Sequence, residues 1–201
     1  MNQNSKPSAS APRLSDLAQK RLTKELRRLK QDDSFTGEHE ITFDPVEDSL
    51  QEWSVVVKGW SHPDASENSR LFGKALESTG LGGVEFRVCF PEDYPTSPPF
   101  VYVRKPMVTF DNFFAAKGAI CLDVLMADGW TPATTTGSLL TTIRSHMDAS
   151  IKLHCEWKDR KGRVRDYNEE GARREFSGIK NSHARWSKPL PRVSGEKRTR
   201  V

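Results

Sequence analysis

Cysteine is scarce in this chain of 201 residues, which contains only Cys89, Cys121 and Cys155. An odd and sparse set of cysteines does not form a disulfide framework. The sequence also lacks an N-terminal apolar segment with a cleavage site and any apolar run of about 18 residues, so it predicts neither a secretory signal nor a membrane span. These absences favour the cytosol or the nucleus, where thiols stay reduced.

A strong excess of one charge is also missing, since 31 basic residues face 27 acidic ones and the net charge is +4. Much of that charge lies in the segment after Trp186, which carries five basic residues against Glu196 alone: Lys188, Arg192, Lys197, Arg198 and Arg200. A basic tail can contact nucleic acid. A solvated tail is the simpler interpretation, and we expect neither a nucleic-acid nor a membrane partner.

The composition is that of a folded protein, because five Trp and ten Phe supply large apolar side chains for a core. The length fits one domain, and no internal repeat is visible. Residues 1–11 are small and polar and predict a disordered leader. Residues 12–187 form the predicted domain, and residues 188–201 form a predicted basic, disordered tail.

Apolar spacing predicts the order of helices and strands. Leu14, Ala18, Leu22, Leu26 and Leu29 recur every three or four residues, which predicts an amphipathic helix of about four turns with Ser15 as a cap. Segments rich in β-branched and aromatic residues predict strands at 38–45, 49–60, 84–90 and 100–106. Further helices are predicted at 71–80, 134–151 and 167–186. Helices around a four-strand meander indicate an α+β fold.

One cysteine lies in a setting that allows two interpretations. The stretch GAICLDVLMADGWTPA, residues 118–133, places Cys121 between two aliphatic residues, with Asp123 two positions later. A cysteine between aliphatic residues is by default an inert core thiol. The alternative is a nucleophile at the rim of a cleft. No histidine lies near Cys121 in the sequence, which argues against a Cys–His pair. Cys89 and Cys155 keep the default interpretation.

Several motifs, in this order along the chain, resemble those of ubiquitin-conjugating enzymes. KRLTKELRRL resembles the family's first helix, and FPEDYPTSPPFVYV resembles its F-P-x-x-Y-P-x-x-P-P signature. GAICLDVL resembles the segment with the catalytic cysteine, and GWTPA resembles the W-S-P-A loop. The resemblance covers about residues 14–150. It implies an N-terminal helix, a four-stranded antiparallel meander, an irregular active-site segment and C-terminal helices.

Two features resemble the Q-type branch of this family. An insert, residues 61–83, stands where most members have a short hairpin, and the closing helix contains an A-x-x-x-F-x-x-I pattern. The family's His-Pro-Asn motif is missing, because the corresponding positions hold Asp111, Asn112 and Phe113. Q-type members also lack it. Asn112, out of register by one, is the candidate for the family's asparagine, which holds the active-site loop and stabilises the oxyanion.

The resemblance implies an acyltransferase that accepts ubiquitin, or a ubiquitin-like protein, as a thioester on Cys121 and passes it to a substrate or ligase. A thiolate is a strong nucleophile, and its ester reacts readily with amines. We expect no metal and no bound cofactor, since ATP is used by the activating enzyme. An incoming amine must lose a proton, and Asp123, Asp128 and Asp148 are candidate acceptors by sequence position.

The resemblance also implies a docking surface for an activating enzyme and a ligase. Its candidate residues come from the first helix and two loops: Arg21, Lys24, Arg28, Pro95, Thr96, Pro132 and Ala133. A solvated helix face and ordinary turns are the alternatives. For the whole chain, the alternative is a catalytically silent variant that binds ubiquitin or a partner. The missing His-Pro-Asn favours that alternative, and the complete I-C-L-D context disfavours it.

Overall fold

The computed structural model describes residues 13–37, 40–60, 65–78, 80–108, 116–150 and 158–186. The expected leader and tail, Asn112 and Cys155 lie outside the described residues.

The first helix, α1 (Asp16–Lys30), begins where the sequence predicts. The side chain of Ser15 accepts a hydrogen bond from the Ala18 N–H at 3.2 Å, which satisfies one of the free donors of the first turn. A second, short helix that the apolar spacing did not predict, α2 (Asp33–Thr36), follows. It is capped by Asp32, whose carboxylate accepts from the Ser34 N–H at 3.1 Å.

Four strands form one antiparallel sheet in the order β1-β2-β3-β4, which confirms the predicted meander. The strands are β1 (Ile41–Val46), β2 (Ser49–Val57), β3 (Val84–Cys89) and β4 (Phe100–Lys105). Glu47 and Asp48 join β1 to β2 with φ angles of 51° and 59°. Two left-handed residues in a two-residue turn match the right-handed twist of the strands that they connect.

The inner face of the sheet carries the core. Alternate residues of β2 and β3 are buried there: Val55, Val57, Val84, Phe86 and Val88. Helix α4 (Thr136–Ser150) contributes Leu139, Ile143 and Met147 to the same hydrophobic cluster. The four-residue spacing of these three side chains places them on one face of the helix, which lies within the predicted range 134–151.

The insert between β2 and β3 forms helix α3 (Glu67–Glu77), which begins four residues before the predicted start at residue 71. Ser66 is its cap, and the Ser66 hydroxyl accepts from the Ser69 N–H at 3.1 Å. Phe72 is buried and lies edge-on to the ring of Trp60, with centroids 5.0 Å apart. The insert therefore packs on the core.

The last helix, α5 (Glu169–Trp186), covers part of the outer face of the sheet. Ala172 is fully buried in a small cluster with Phe100 and Tyr102 of β4, and Phe176 packs against that cluster. Ala172 and Phe176 are the first two residues of the A-x-x-x-F-x-x-I pattern in this helix. Within the described part of the chain, none of the helices combines the length and hydrophobicity that a membrane span requires.

Candidate functional site

Cys121 lies at the surface between two buried neighbours. Tyr102 of β4 pairs with Ala119 in an isolated antiparallel bridge, which continues the sheet for one step. Ile120 is fully buried and Leu122 is nearly so, whereas Cys121 is half-buried and is a free cysteine. The two aliphatic neighbours thus anchor the segment in the core, and Cys121 between them is partly exposed. This arrangement favours the second of the two interpretations of Cys121.

The segment before Cys121 is held by the start of the last helix. Gly118 has a φ of 81°, and a Cβ atom there would lie 2.7 Å from the Tyr167 ring and 2.8 Å from the Val103 carbonyl oxygen. The Tyr167 hydroxyl donates to the Val108 carbonyl at 3.3 Å. Only glycine therefore allows β4 and Tyr167 to pack this closely on the chain three residues before the thiol.

The segment after Cys121 is a compact turn. A 3₁₀ helix (Asp123–Leu125) follows, and the Met126 N–H donates to the Asp123 carbonyl at 2.8 Å. Gly129 passes so close to that carbonyl that a Cβ atom would overlap it. Trp130 closes the turn, and its indole N–H donates to the Pro95 carbonyl at 2.8 Å. The turn is thereby tied to the proline-rich segment after β3.

The surroundings of Cys121 favour the neutral thiol. Partial burial raises the pKa of Cys121, and the negative charge of Asp123 raises it further. Burial raises the pKa of Cys89 to about 12, with Glu169 adding to the effect, so Cys89 is the less reactive of the two thiols. The thiol of Cys121 therefore suits attack on an acyl group that is already activated.

The three candidate carboxylates have different surroundings. Asp123 and Asp128 are exposed on the turn that follows Cys121. Asp148 lies on α4, where its carboxylate accepts from the Arg144 guanidinium at 2.9 Å. Asp123 is the one whose charge acts on the Cys121 thiol.

The candidate docking residues come together on the two loops that the Trp130–Pro95 hydrogen bond joins. Thr96, Pro132 and Ala133 are exposed, and Pro95 is half-buried. On α1, the side chains of Lys24 and Arg28 are exposed.

Arg21 differs from the other docking candidates, because its guanidinium is engaged within the chain. It forms an ion pair with Glu25 and donates to the Thr134 carbonyl at 3.2 Å. Its side chain is 27% exposed, so part of it still faces solvent. Arg21 therefore ties α1 to the loop before α4.

Glu25 is a site residue that the sequence analysis missed. It is 7% exposed, and its Oε2 atom accepts from the Tyr94 hydroxyl at 3.1 Å, the Thr136 N–H at 2.8 Å and the Thr136 hydroxyl at 2.5 Å. One carboxylate thus joins α1, the proline-rich segment and the start of α4. The signal was its position on the buried stripe of α1, three residues after Leu22 and four before Leu29.

Asn112 lies outside the described residues, so its position relative to Cys121 stays a prediction. Among the residues that the structure describes, no group of three or more His, Cys, Asp or Glu side chains could hold a metal ion.

Comparisons with known proteins agree with these motifs. A family model described as "Ubiquitin-conjugating enzyme" matches residues 81–173. Ubiquitin-conjugating enzyme E2 Q1 of mouse is 31% identical over 61% of this chain, which spans 28% of that protein's length. Ubiquitin-conjugating enzyme 15 of Arabidopsis thaliana is 31% identical over 75% of this chain and 79% of its own length. A solved ubiquitin-conjugating enzyme from Plasmodium falciparum is 20% identical over 73% of this chain and 92% of its own length, with a TM-score of 0.49.

The match to the Arabidopsis protein decides the family. It includes most of both chains, and the match to E2 Q1 agrees with the resemblance to the Q-type branch. The chain belongs to the ubiquitin-conjugating enzyme family and, within it, resembles the Q branch.

Proposed function

We propose that this chain accepts ubiquitin, or a ubiquitin-like protein, as a thioester on Cys121 from an activating enzyme and passes it to a substrate or ligase. The observation that carries the proposal is the partial exposure of Cys121 between the buried Ile120 and Leu122. A thiol held this way can meet the extended C-terminal end of a carrier protein. The reaction would take place in the cytosol or nucleus, where thiols stay reduced.

The chemistry consists of two acyl transfers. The Cys121 thiolate attacks the carbonyl carbon of the activated thioester, a new C–S bond forms, and the activating enzyme's thiolate leaves. In the second step an amine attacks the same carbon, a C–N bond forms, and Cys121 leaves as a thiolate. The amine's proton passes to a base, and Asp123 is the nearest of the candidate carboxylates in sequence.

The raised pKa of Cys121 acts differently in the two steps, because the thiolate of a thiol with a higher pKa is the poorer leaving group in the second step. A thiolate with a higher pKa is a stronger nucleophile once formed, although less of it is present at neutral pH. Because the acyl group arrives activated, the protein's contribution is chiefly to hold the thiol, the carrier and the amine in position. No metal or bound cofactor is part of the proposal.

A gel shift tests the function directly. The purified chain is incubated with an activating enzyme, ATP and ubiquitin, and the products are separated without reductant. We expect an adduct that disappears on adding thiol and is absent in Cys121→Ala. Cys89→Ser is the matched control and should keep the adduct, because burial makes Cys89 the less reactive thiol. If neither ubiquitin nor any ubiquitin-like protein forms the adduct, the chain is a binding module and the proposal is wrong.

We further propose that Lys24 and Arg28 help to recruit the activating enzyme. Both side chains are exposed on α1, whereas Arg21 of the same helix is engaged with Glu25. Lys24→Glu/Arg28→Glu should slow adduct formation about tenfold at low salt, and the difference should shrink as salt rises, since long-range steering is screened. Lys74→Glu, a charge reversal on the exposed face of α3, is the control. Equal rates for all three proteins would exclude this role.

A further inference from the structure

The connection between α4 and α5 contains a hairpin rich in basic residues, which begins at Lys158 and ends at Val164. We call it the basic hairpin. Its two end residues pair in an antiparallel bridge, and the Asp159 N–H donates to the Arg163 carbonyl at 2.9 Å. The Gly162 N–H donates to the Asp159 carbonyl at 2.9 Å, and Gly162 has a φ of 76°. A left-handed glycine at this place closes a short hairpin loop.

The carboxylate of Asp159 fixes the tip of the basic hairpin. One oxygen accepts from the N–H groups of Lys161 and Arg163 at 2.8 and 3.0 Å, and the other accepts from the Arg163 guanidinium at 2.8 Å. The backbone bond from Arg163 is the main cause that lowers the pKa of Asp159, so this acceptor stays ionised at neutral pH. Arg160 and Lys161 occupy the two central positions of the turn and are exposed. The tip therefore presents two neighbouring cations from an ordered backbone.

The basic hairpin is held at both ends. At its start, the Lys158 ammonium donates to the Ser78 carbonyl at 3.2 Å, where α3 ends. The C-terminus of a helix carries a partial negative charge and favours a cation. Just after the hairpin, the Arg165 carbonyl accepts from the Met107 N–H at 2.9 Å. The hairpin is therefore a fixed part of the surface and lies next to the end of α3.

Helix α3 adds an exposed apolar side chain to this surface. Four exposed residues follow the three- and four-residue spacing of one helix face: Leu71, Lys74, Ala75 and Ser78. The side chain of Leu71 is 41% exposed. Because Ser78 is also the residue that Lys158 contacts, this face of α3 leads to the basic hairpin.

The combined surface is cationic. Together, α3 and the basic hairpin carry six basic and three acidic residues: Arg70, Lys74, Lys158, Arg160, Lys161 and Arg163 against Glu67, Glu77 and Asp159. Asp159 is already paired with Arg163. Among the residues that the structure describes, no carboxylate forms an ion pair with Lys74, Arg160 or Lys161. An occupant with a net negative charge is therefore favoured.

The size of this surface favours an acidic protein segment over a nucleic acid. We call it the α3–hairpin surface, and it consists of Leu71, Lys74, Ala75, Lys158, Arg160 and Lys161. Proteins that bind duplex DNA commonly neutralise about six to ten phosphates, and proteins that bind single strands stack bases on aromatic rings. The α3–hairpin surface has four cations and no aromatic side chain. Its α3 part is about 10 Å long, so an extended segment of about seven residues can contact both parts.

We propose that the α3–hairpin surface binds an extended acidic segment of a partner protein, with an apolar side chain against Leu71 and carboxylates against Lys74, Arg160 and Lys161. The surface is formed by other elements than α1 and the two loops at which docking of an activating enzyme and a ligase is expected. The inference does not depend on the thioester chemistry.

An NMR titration of the Cys121→Ser chain tests the position of this surface without that chemistry. The probe is the heptapeptide EEELEEE. We expect its addition to shift the amide signals of residues 70–78 and 158–164 and to leave those of α1 in place. Unchanged signals in both segments, or larger shifts in α1, would overturn the proposal.

Charge removal tests the hairpin tip. Arg160→Ser/Lys161→Ser should weaken the affinity for EEELEEE about fivefold, because two exposed charge pairs are lost. Lys20→Ser/Arg27→Ser removes the same charge from exposed positions of α1 and should change the affinity less than about twofold. Equal losses for the two variants would show that net charge alone attracts the peptide, and the proposal would be wrong.

The apolar contact has its own control peptide. Leu71→Ser should weaken binding of EEELEEE about threefold and should not affect binding of EEESEEE, in which the leucine is absent. The same loss with both peptides would contradict the contact. A labelled poly-dT strand is the last probe. Tighter binding of this strand than of EEELEEE, lost in Arg160→Ser/Lys161→Ser, would assign the surface to nucleic acid and would equally overturn the proposal.

Discussion

Two carboxylates, Asp123 and Glu25, affect the candidate site in different ways. Asp123 is exposed two residues after Cys121 and raises the pKa of that thiol, secondary to burial. Glu25 is buried and is compensated by an ion pair and three hydrogen bonds. The first tunes reactivity, and the second fixes the geometry of the loops.

Asp123→Asn should make Cys121 more reactive at neutral pH. Removing the negative charge lowers the thiol's pKa, so the thiolate fraction at pH 7.5 should rise and alkylation by iodoacetamide should speed up about two- to threefold. The rate is measured against pH with Cys89 and Cys155 replaced by serine. The midpoint for the parent should lie above the ordinary cysteine value, and that of Asp123→Asn should lie below the parent's.

Asp128→Asn is the matched control, since Asp128 is exposed on the same turn but does not contribute to the shift at Cys121. Its alkylation profile should coincide with the parent's.

If Asp123 also takes the proton of the incoming amine, Asp123→Asn will accelerate alkylation while slowing transfer from the thioester to free lysine. A midpoint that Asp123→Asn leaves unchanged would show that burial alone raises the pKa.

Glu25→Ala should destabilise the protein by about 3 kcal/mol, because it removes the acceptor of the buried Tyr94 and Thr136 donors and the ion-pair partner of Arg21. Urea denaturation measures the free energy of unfolding. Lys24→Ala, one residue away and exposed, should change it by less than about 0.5 kcal/mol. A loss below about 1 kcal/mol for Glu25→Ala would mean that water replaces the carboxylate.

The elements around the site are positioned by close backbone approaches as well as by side-chain packing. The bridge between Tyr102 and Ala119 pairs the segment before Cys121 with β4. Tyr167 packs on Gly118, the residue just before that bridge. The Tyr167 N–H also donates to the Arg104 carbonyl at 2.9 Å. The residues that lead into α5 are therefore part of the support of the segment that contains Cys121.

Gly118→Ala tests the close contact of residue 118 with Tyr167 and Val103, and Gly80→Ala is the matched control. Both glycines have left-handed φ angles, 81° and 74°, so both substitutions carry the same backbone cost of about 1 kcal/mol. Nothing lies within 4 Å of a Cβ at Gly80, whereas a Cβ at Gly118 meets the Tyr167 ring and the Val103 carbonyl. We expect Gly118→Ala to cost about 2 kcal/mol more in free energy of unfolding. Equal losses would show that the contact relaxes freely.

At the scale of the whole molecule, the sheet is covered on both faces. The inner face packs in the main core with α4, and part of the outer face is covered by α5 through Ala172, Phe100 and Tyr102. The Arg104–Asp166 ion pair adds a link between β4 and the segment that leads into α5. We therefore expect α5 to unfold together with the sheet rather than as a separate unit.

Ala172→Asp checks that expectation, because it places a carboxylate in a fully buried position against β4. The main thermal transition should move to lower temperature, with a loss of about 3 kcal/mol. Asn181→Asp, exposed on the same helix, is the control and should leave the transition within a degree or two. A drop in helical signal with an unchanged main transition would show that α5 folds independently.

The sequence by itself determined the elements and the candidate nucleophile. The apolar spacing of the first helix, its Ser15 cap and the strands rich in β-branched residues are local features of the sequence, and the structure has all three. The resemblance to the family rested on several short motifs that occur in one order along the chain, and the motif around Cys121 is one of them. Two predictions from the sequence were wrong: the start of α3 was placed too late, and α2 was not predicted. The residues that follow the caps Ser66 and Asp32 are mostly polar, so apolar spacing did not mark these helix starts.

Only the tertiary structure decided whether Cys121 reaches solvent, what surrounds Glu25 and which face α5 covers. Each depends on groups that are far apart in the sequence: the carboxylate of Glu25 accepts from Tyr94 and Thr136, and Tyr167 limits residue 118 to glycine. A local period tells which side of an element is apolar, but the partner of a buried charge is set by how the elements pack.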